Sequence, residues 1–281
     1  MSATGLSATA PRDLGAPRVR RVGSTRVTFA GVVTSEWIKL RSVRSAVLSL
    51  FAAAATVVVL GLLLSGVKSG GLSAQEIGLQ AGGDPVSTSL GGVNLSQLMI
   101  GVLGVILITA EYSTGTIRST LIAVPRRLPV LWAKAVVFGG AAMVCMLAAT
   151  FAAFIGGQAL VGPAGASLGD PGALRAVVGA AAYLTGVGLL GLAAGVMLRG
   201  TAVAIGTLFG VMYAVPALFP LLPHAWNDAV GPYLPSNAGM AVISVTRTAG
   251  MLSPTAGLVV FAGYVLATFA AAALLLKRRD G

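Results

Sequence analysis

The sequence predicts an all-α integral membrane protein: six transmembrane helices, both termini in the cytosol, and an amphipathic interfacial helix before the first span. Three observations carry this prediction. The 281-residue chain is 56% hydrophobic and only 10% charged, with a mean hydropathy of +0.90. Its apolar runs reach the roughly 20 residues that cross a bilayer. Its basic residues collect at the ends of those runs on one side of the membrane.

The N-terminal part precedes all of these apolar runs. Residues 1–26 are rich in Ser, Ala, Thr, Pro and Arg, a composition that predicts a disordered basic arm. A six-span transmembrane domain would then occupy residues 27–281.

The interfacial helix is predicted at residues 28–44. At 100° per residue its apolar side chains fall on one stripe, and Lys39 and Arg41 flank that stripe where they could reach lipid headgroups. Glu36 falls inside the stripe. Three interpretations stay open for it: an effect of its place near the helix start, a local salt bridge to Lys39 or Arg41, or a polar contact with a cytosolic partner. The apolar stripe consists of Phe29, Val33, Trp37, Leu40 and Val43.

Six apolar segments are predicted to cross the membrane. The third is long enough to tilt or to extend into the interface. The fourth and fifth are separated only by Arg199 and Gly200, which predicts an antiparallel hairpin. The predicted spans are 45–66, 93–110, 131–161, 173–198, 201–222 and 255–276.

The basic residues orient these spans. If the N terminus is cytosolic, 16 of the 19 Lys and Arg residues fall on the cytosolic side. Only Lys68, Arg175 and Arg247 fall on the other side. This asymmetry follows the positive-inside rule and predicts that both termini are cytosolic.

A polar and basic connection, residues 111–127, joins the second and third spans. A short amphipathic helix is predicted after Glu111, capped by Ser113 or Thr114 and limited by Pro125. Lys134 follows one turn inside the third span, and we expect it to snorkel back to the cytosolic surface. None of the eight carboxylates is expected inside a span.

Three motifs resemble the permease subunits of ATP-binding-cassette transporters of the type-2 exporter class. They are EYSTGTIRSTL with the following PRR and AK, SEWIKLRSVRS before the first span, and YLPSNAG in the last outer loop. The resemblance covers about residues 28–279. It implies that the 111–127 connection contains a coupling helix that docks on a separate ATP-binding subunit, with the interfacial helix beside it. The residues so assigned are Glu111, Thr114, Gly115, Thr116, Ile117, Arg118 and Leu121 for coupling, and Glu36, Trp37, Lys39 and Arg41 for the interfacial helix.

The resemblance also implies a second permease chain, identical or different, and a bacterial-type cell membrane. The sequence lacks G-x-x-x-x-G-K-[ST], so no cofactor is expected in this chain and ATP hydrolysis is expected on the partner. The scarcity of charge in the spans favours amphipathic or lipophilic cargo. A nucleic-acid partner is excluded, because the basic residues flank apolar spans and form no aromatic-interleaved patch.

Two other functions are weaker alternatives. A secondary carrier usually has an ionisable group at the membrane midplane, and none is predicted here, although a carrier that uses backbone carbonyls stays open. A membrane-embedded hydrolase would rest on the run GASLG, which contains Ser167, and on the lone His224. That motif requires a strand–turn–helix context. The single Cys145 and the absence of His or Cys clusters argue against a metal site.

Two further features bear on packing. Gly191 and Gly195 form a small-xxx-small pair, which permits close helix approach either within the chain or at a dimer interface. Residues 223–254 form a long outer connection whose apolar and aromatic content predicts short helices dipping into the outer leaflet. The resemblance implies that such helices are re-entrant and help to close an outer gate.

Overall fold

The protein is all-α, as the sequence predicted. The computed structural model describes residues 28–70, 83–113, 127–246 and 250–278, and every regular element in these ranges is helical. The predicted arm at residues 1–26 lies outside them. The helices are α1 (Phe29–Ser42), α2 (Arg44–Lys68), α3 (Pro85–Ser89), α4 (Val93–Ser113), α5 (Arg127–Val161), α6 (Ala173–Leu198), α7 (Thr201–Phe209), α8 (Val215–Leu218), α9 (His224–Val230), α10 (Pro235–Ile243) and α11 (Pro254–Arg278).

Six helices in the described part of the chain are long and apolar enough to cross a membrane, which confirms the predicted number of spans. The predicted boundaries agree within a few residues, with one consequential exception. The second span continues past Ala110 to Ser113 and therefore contains Glu111, so the expectation that every carboxylate lies outside the spans is wrong. The spans are Arg44–Lys68, Val93–Ser113, Leu128–Ala164, Ala173–Leu198, Thr201–Leu221 and Pro254–Arg278.

Helix α1 occupies the region predicted for the interfacial helix. The Thr28 hydroxyl accepts a hydrogen bond from the Gly31 amide at 3.3 Å and caps the helix start. Val43 interrupts the helix, with φ −84° and ψ 91°, before α2 begins. The backbone leaves the helical conformation at this one residue, so α1 is a separate element from the first span.

Helix α6 is the centre of the bundle. In its most apolar stretch 83% of the residues are buried, against 22% for the first span and 17% for the fifth and sixth. Its small residues allow neighbouring backbones to approach closely. A Cβ on Gly191 would lie 2.2 Å from the Gly101 carbonyl oxygen, and one on Gly195 would lie 2.4 Å from an Ile108 methyl carbon. The structure thus places both glycines against α4 of the same chain.

The hairpin between α6 and the fifth span is tied to the end of α4. Arg199 adopts a left-handed conformation with φ 54°, which ends α6 and turns the chain. Its guanidinium lies 5.5 Å from the centre of the Tyr112 ring, and Thr201 donates a hydrogen bond to Thr109 at 2.9 Å. The fifth span then passes through a π-helical turn, Gly210–Ala214, which ends two residues before Pro216.

The connection at 223–254 contains the short helices α9 and α10. The Arg175 guanidinium, near the start of α6, donates to the carbonyl oxygens of Val242 at 2.6 Å and Ser244 at 3.0 Å. These bonds satisfy carbonyls at the end of α10 that the helix itself leaves unpaired. The connection is thereby held against the central helix.

Candidate functional site

Four charged side chains meet where α1, the end of α4 and the start of α5 come together. They are Glu36 and Lys39 of α1, Glu111 of α4 and Lys134 of α5, and we call this group the ion cluster. It contains two carboxylates and two ammonium groups, so its formal charge is zero. It lies directly beside the ends of the 111–127 connection.

Lys134 is the central donor of the ion cluster. Its Nζ donates to Glu36 Oε2 at 2.5 Å and to Glu111 Oε1 at 2.8 Å. Lys39 Nζ donates to Glu36 Oε1 at 2.6 Å and lies 3.4 Å from Glu111 Oε1. Three helices that are distant in sequence are therefore joined through charge-assisted hydrogen bonds.

The ion cluster is largely buried. The exposed fractions of its side chains are 2% for Glu36, 8% for Lys134, 15% for Glu111 and 36% for Lys39. The expectation that Lys134 snorkels to the surface is therefore wrong. Two carboxylates arrive from neighbouring helices, and their attraction at low dielectric constant replaces the hydration that snorkelling would have provided.

Apolar contacts between α1 and α5 set the register of the cluster. Val32 packs with Val130 and Ala133 in a small buried group of their own. Glu36 lies four residues after Val32, and Lys134 lies four residues after Val130. Since residues four apart share a helix face, the apolar contact brings the two charges together one turn further along.

Lys39 and Glu36 also pair within α1. Their separation of three residues is the spacing at which helix side chains meet. This pair is the local salt bridge offered as one interpretation of Glu36, and Lys134 adds a second and more deeply buried partner. Of the other residues assigned to this helix, Trp37 is 44% exposed and Arg41 is also exposed.

The ion cluster predicts a specific pH dependence. Burial alone raises the pKa of Glu36, but the nearby Lys134 and Lys39 ammonium groups outweigh it and hold that pKa below its ordinary value of 4.5. The unfolded chain then binds more protons in acid, so the stabilisation is present above about pH 4.5 and is lost as pH falls through the lower folded pKa. We expect the thermal midpoint in detergent to fall more steeply between pH 5 and pH 3 (roughly the range of carboxylate titration) in the native protein than in Glu36→Gln.

The control for this prediction is the thermal midpoint measured at alkaline pH. Burial lowers the pKa of Lys39, yet its bonds to Glu36 and the charge of Glu111 raise it above 10.5 overall. Its contribution is therefore present below that pH and is lost only as pH rises through the folded value. Equal acid slopes in the native protein and Glu36→Gln would contradict the assignment, because all other carboxylates are common to both.

The remaining predicted coupling residues cannot be placed. Of the seven residues assigned to coupling, the structure describes only Glu111. The other six lie outside the described residues: Thr114, Gly115, Thr116, Ile117, Arg118 and Leu121. The role of this segment in coupling therefore stays a prediction.

The motif considered for a hydrolase lies in a turn. Ser167 donates its hydroxyl to Asp170 at 2.9 Å, and its amide donates to the same carboxylate. A 3₁₀ turn precedes it at Gly162–Ala164, in place of the strand that a nucleophile elbow requires. Among the described residues, no group of three or more His, Cys, Asp or Glu side chains is arranged to hold a metal ion.

Comparison with known families decides the class. A family model described as "ABC-2 family transporter protein" matches residues 32–217, about two thirds of the chain. The chain belongs to the ABC-2 transporter family. The match includes all four residues of the ion cluster and the first four spans. No curated protein and no solved structure matches the chain at a significant level.

Membership of the ABC-2 transporter family agrees with the resemblance found in the sequence. The protein is a multi-pass membrane protein and the membrane component of an ABC transporter, and the family implies an ABC ATPase as its partner. Six spans and a separate α1 before the first span agree with this class.

The ion cluster itself was not predicted from the sequence. Two signals could have found it, a Glu inside the apolar stripe of α1 and a Lys inside the apolar run VLWAKAVV. A charge placed among apolar residues in a membrane protein generally requires a partner of opposite sign. Pairing Glu36 with Lys134 across 98 residues required knowing that α1 packs on α5.

Proposed function

We propose that this chain is the permease subunit of an ATP-driven exporter in a bacterial-type cell membrane. Two such chains, identical or different, would pair, and the 111–127 connection would dock on a separate ATP-binding subunit. The observation that carries this proposal is the position of the ion cluster. Glu111 is the first residue of that connection, Lys134 lies two turns into the helix that follows it, and both bind α1.

The ion cluster would link the movements of α1, α4 and α5. Because Lys134 bonds both Glu36 and Glu111, a push on the connection would displace α1, α4 and α5 together. Deforming the cluster would separate buried charges in a medium of low dielectric constant, which costs several kcal/mol. The three helices therefore respond as one body to a docked partner.

The tight contact between α4 and α6 would carry the motion further. A Cβ on Gly104 would lie only 2.0 Å from the Gly188 carbonyl oxygen, so the two backbones are already in contact. Helices packed this closely do not slide independently. Displacement of α4 would therefore move the central helix, which in turn holds α10 through Arg175.

The remaining features of the proposal follow from composition. Glu111 and Lys134 are charged residues within the described spans, but they neutralise one another at the end of the bundle. A pathway elsewhere in the bundle would be weakly charged and suited to amphipathic or lipophilic cargo. ATP would be bound and hydrolysed by the partner, with no cofactor in this chain.

The proposal is tested by mutating the connection. We expect Gly115→Pro or Arg118→Glu to leave membrane insertion intact and to reduce cargo-stimulated ATP hydrolysis by the partner at least tenfold, about 1.4 kcal/mol of coupling. The physical reason for Gly115→Pro is that the ring fixes the backbone at residue 115 and disfavours a helical conformation at Thr114, so the docking segment is re-oriented at its start. In Arg118→Glu a reversed charge opposes the polar contact with the partner. The measurement is ATPase activity of the co-purified complex in nanodiscs, with export in proteoliposomes.

Arg278→Glu is the matched control, because it makes the same charge reversal at the end of α11, where Arg278 is exposed. It should couple normally. Full coupling in both connection variants would rule out docking through residues 114–121. A chain that purifies alone and transports without ATP would instead indicate the secondary carrier.

A further inference from the structure

A groove begins at the ion cluster and runs along the seam between α2 and α4. Its first part is a cavity of about 440 Å³ whose charged end is formed by Glu36, Lys39, Glu111 and Lys134. A second cavity of about 300 Å³ continues it, and Ser49, Leu103 and Ile106 line both. From Ser45 to Ala52 the groove follows α2 for about 10 Å, at 1.5 Å per helical residue.

The walls of the groove are apolar away from the cluster. Leu103, Val137 and Phe138 are buried and form its floor, while Ile106 is 43% exposed at its edge. Because α2 and α4 are both membrane spans, an occupant of this groove would lie at the depth of the membrane. An occupant would therefore have a charged end and a long apolar part.

Two polar groups of the cluster are not fully hydrogen-bonded. One of them, Glu111 Oε2, is itself buried, so an occupant reaches it only when the Glu111 side chain turns toward the groove. Glu111 Oε1 accepts from both lysines, whereas the buried Glu111 Oε2 has no hydrogen-bond partner within the described part of the chain. Lys39, at the more exposed edge, has three N–H donors, and one of its two bonds is long at 3.4 Å. The site thus has one free anionic acceptor beside one under-used cationic donor.

We propose that this groove binds one phospholipid whose headgroup carries a primary ammonium. The ammonium donates to Glu111 Oε2, the phosphate accepts from Lys39, and one acyl chain lies along Leu103 and Ile106. An unpartnered buried carboxylate oxygen is costly, and a charged donor relieves that cost. A choline headgroup has no N–H to donate, and a purely anionic headgroup places its charge against the carboxylate.

The binding requires neither ATP nor a partner, so it can be measured on the full chain alone and stands or falls separately from the proposed exporter function. The chain is placed in nanodiscs of equimolar phosphatidylethanolamine, phosphatidylcholine and phosphatidylglycerol with identical acyl chains. It is then released and its retained lipids are counted by native mass spectrometry. We expect one retained phosphatidylethanolamine per chain, preferred about tenfold over phosphatidylcholine, as a charge-assisted hydrogen bond provides.

Two variants locate the site. Ser49→Trp fills the groove where its two parts meet and should reduce retention at least tenfold, whereas Leu48→Trp, on the exposed neighbouring face of α2, should retain the lipid. Glu111→Gln should remove the preference for phosphatidylethanolamine over phosphatidylcholine. If Glu111→Gln does not fold, the lipid preference of the native chain and the two Trp variants decide the question. Equal retention of the two zwitterionic lipids, preference for phosphatidylglycerol, or equal behaviour of the Trp variants would overturn the proposal.

Discussion

Replacing Lys134 by Met is expected to destabilise the folded protein by about 3–5 kcal/mol, the usual cost of removing one partner from a buried ion pair. Met has nearly the volume and length of Lys, so packing is preserved and the effect comes from charge. The substitution leaves Glu36 and Glu111 buried beside each other with only the half-exposed Lys39 as counter-charge. The measurement is the midpoint of thermal unfolding of the purified chain in mild detergent.

Two comparisons separate the charge effect from a general loss of fold. Lys39→Met removes the same charge at a side chain that is 36% exposed, and it should cost well under half as much because solvent screens the remaining charges. The double variant Lys134→Met with Glu36→Gln should recover part of the loss, since one of the stranded carboxylates is also removed. If Lys134→Met matched the native midpoint, the buried pairing would be disproved.

Replacing Gly191 by Ala is expected to cost about 3 kcal/mol, at the upper end of the range for an overpacked core. The new Cβ would lie 2.2 Å from the Gly101 carbonyl oxygen. A backbone atom cannot move aside as a flexible side chain can, so α4 and α6 must separate along their contact. The same unfolding measurement reports this loss.

Gly140→Ala is the matched control. Gly140 lies in the middle of α5, and a Cβ there would meet nothing within 4 Å. That substitution should be neutral or stabilising by up to about 1 kcal/mol, because Ala favours helix more than Gly does. Equal midpoints for the two variants would mean that α4 and α6 are not in backbone contact. A loss of dimer alone in Gly191→Ala, with unchanged unfolding, would instead place Gly191 at an interface between chains.

The sequence was sufficient for the spans, because 18 or more apolar residues in a row have few structural alternatives. The sequence was also sufficient for a separate helix before the first span, which ends at Ser42, directly before Val43. The predicted end of the second span, at Ala110, was wrong, because the change from apolar to polar residues there suggested a helix end. Helical hydrogen bonding continues there to Ser113, because Glu111 finds counter-charges on other helices.

For the candidate site, the sequence predicted which residues lie near the connection but not which of them pair. Composition and motif identify the residues that belong near the connection, but pairing among them depends on tertiary contacts. Lys134 near the end of an apolar run is equally compatible with snorkelling and with burial. The contact of Val32 with Val130 decides between these outcomes. No feature of either segment taken alone contains that information.

The long sequence separations within the ion cluster have a consequence for how the protein is made. Glu111 and Lys134 are 23 residues apart, and Glu36 and Lys134 are 98 residues apart. At a synthesis rate of about 5–20 residues per second, Lys134 emerges about 1–5 s after Glu111 and about 5–20 s after Glu36. During that interval the nascent chain carries carboxylates whose buried counter-charge does not yet exist. Helix α1 can therefore gain its contacts with α5 only after the third span has left the ribosome.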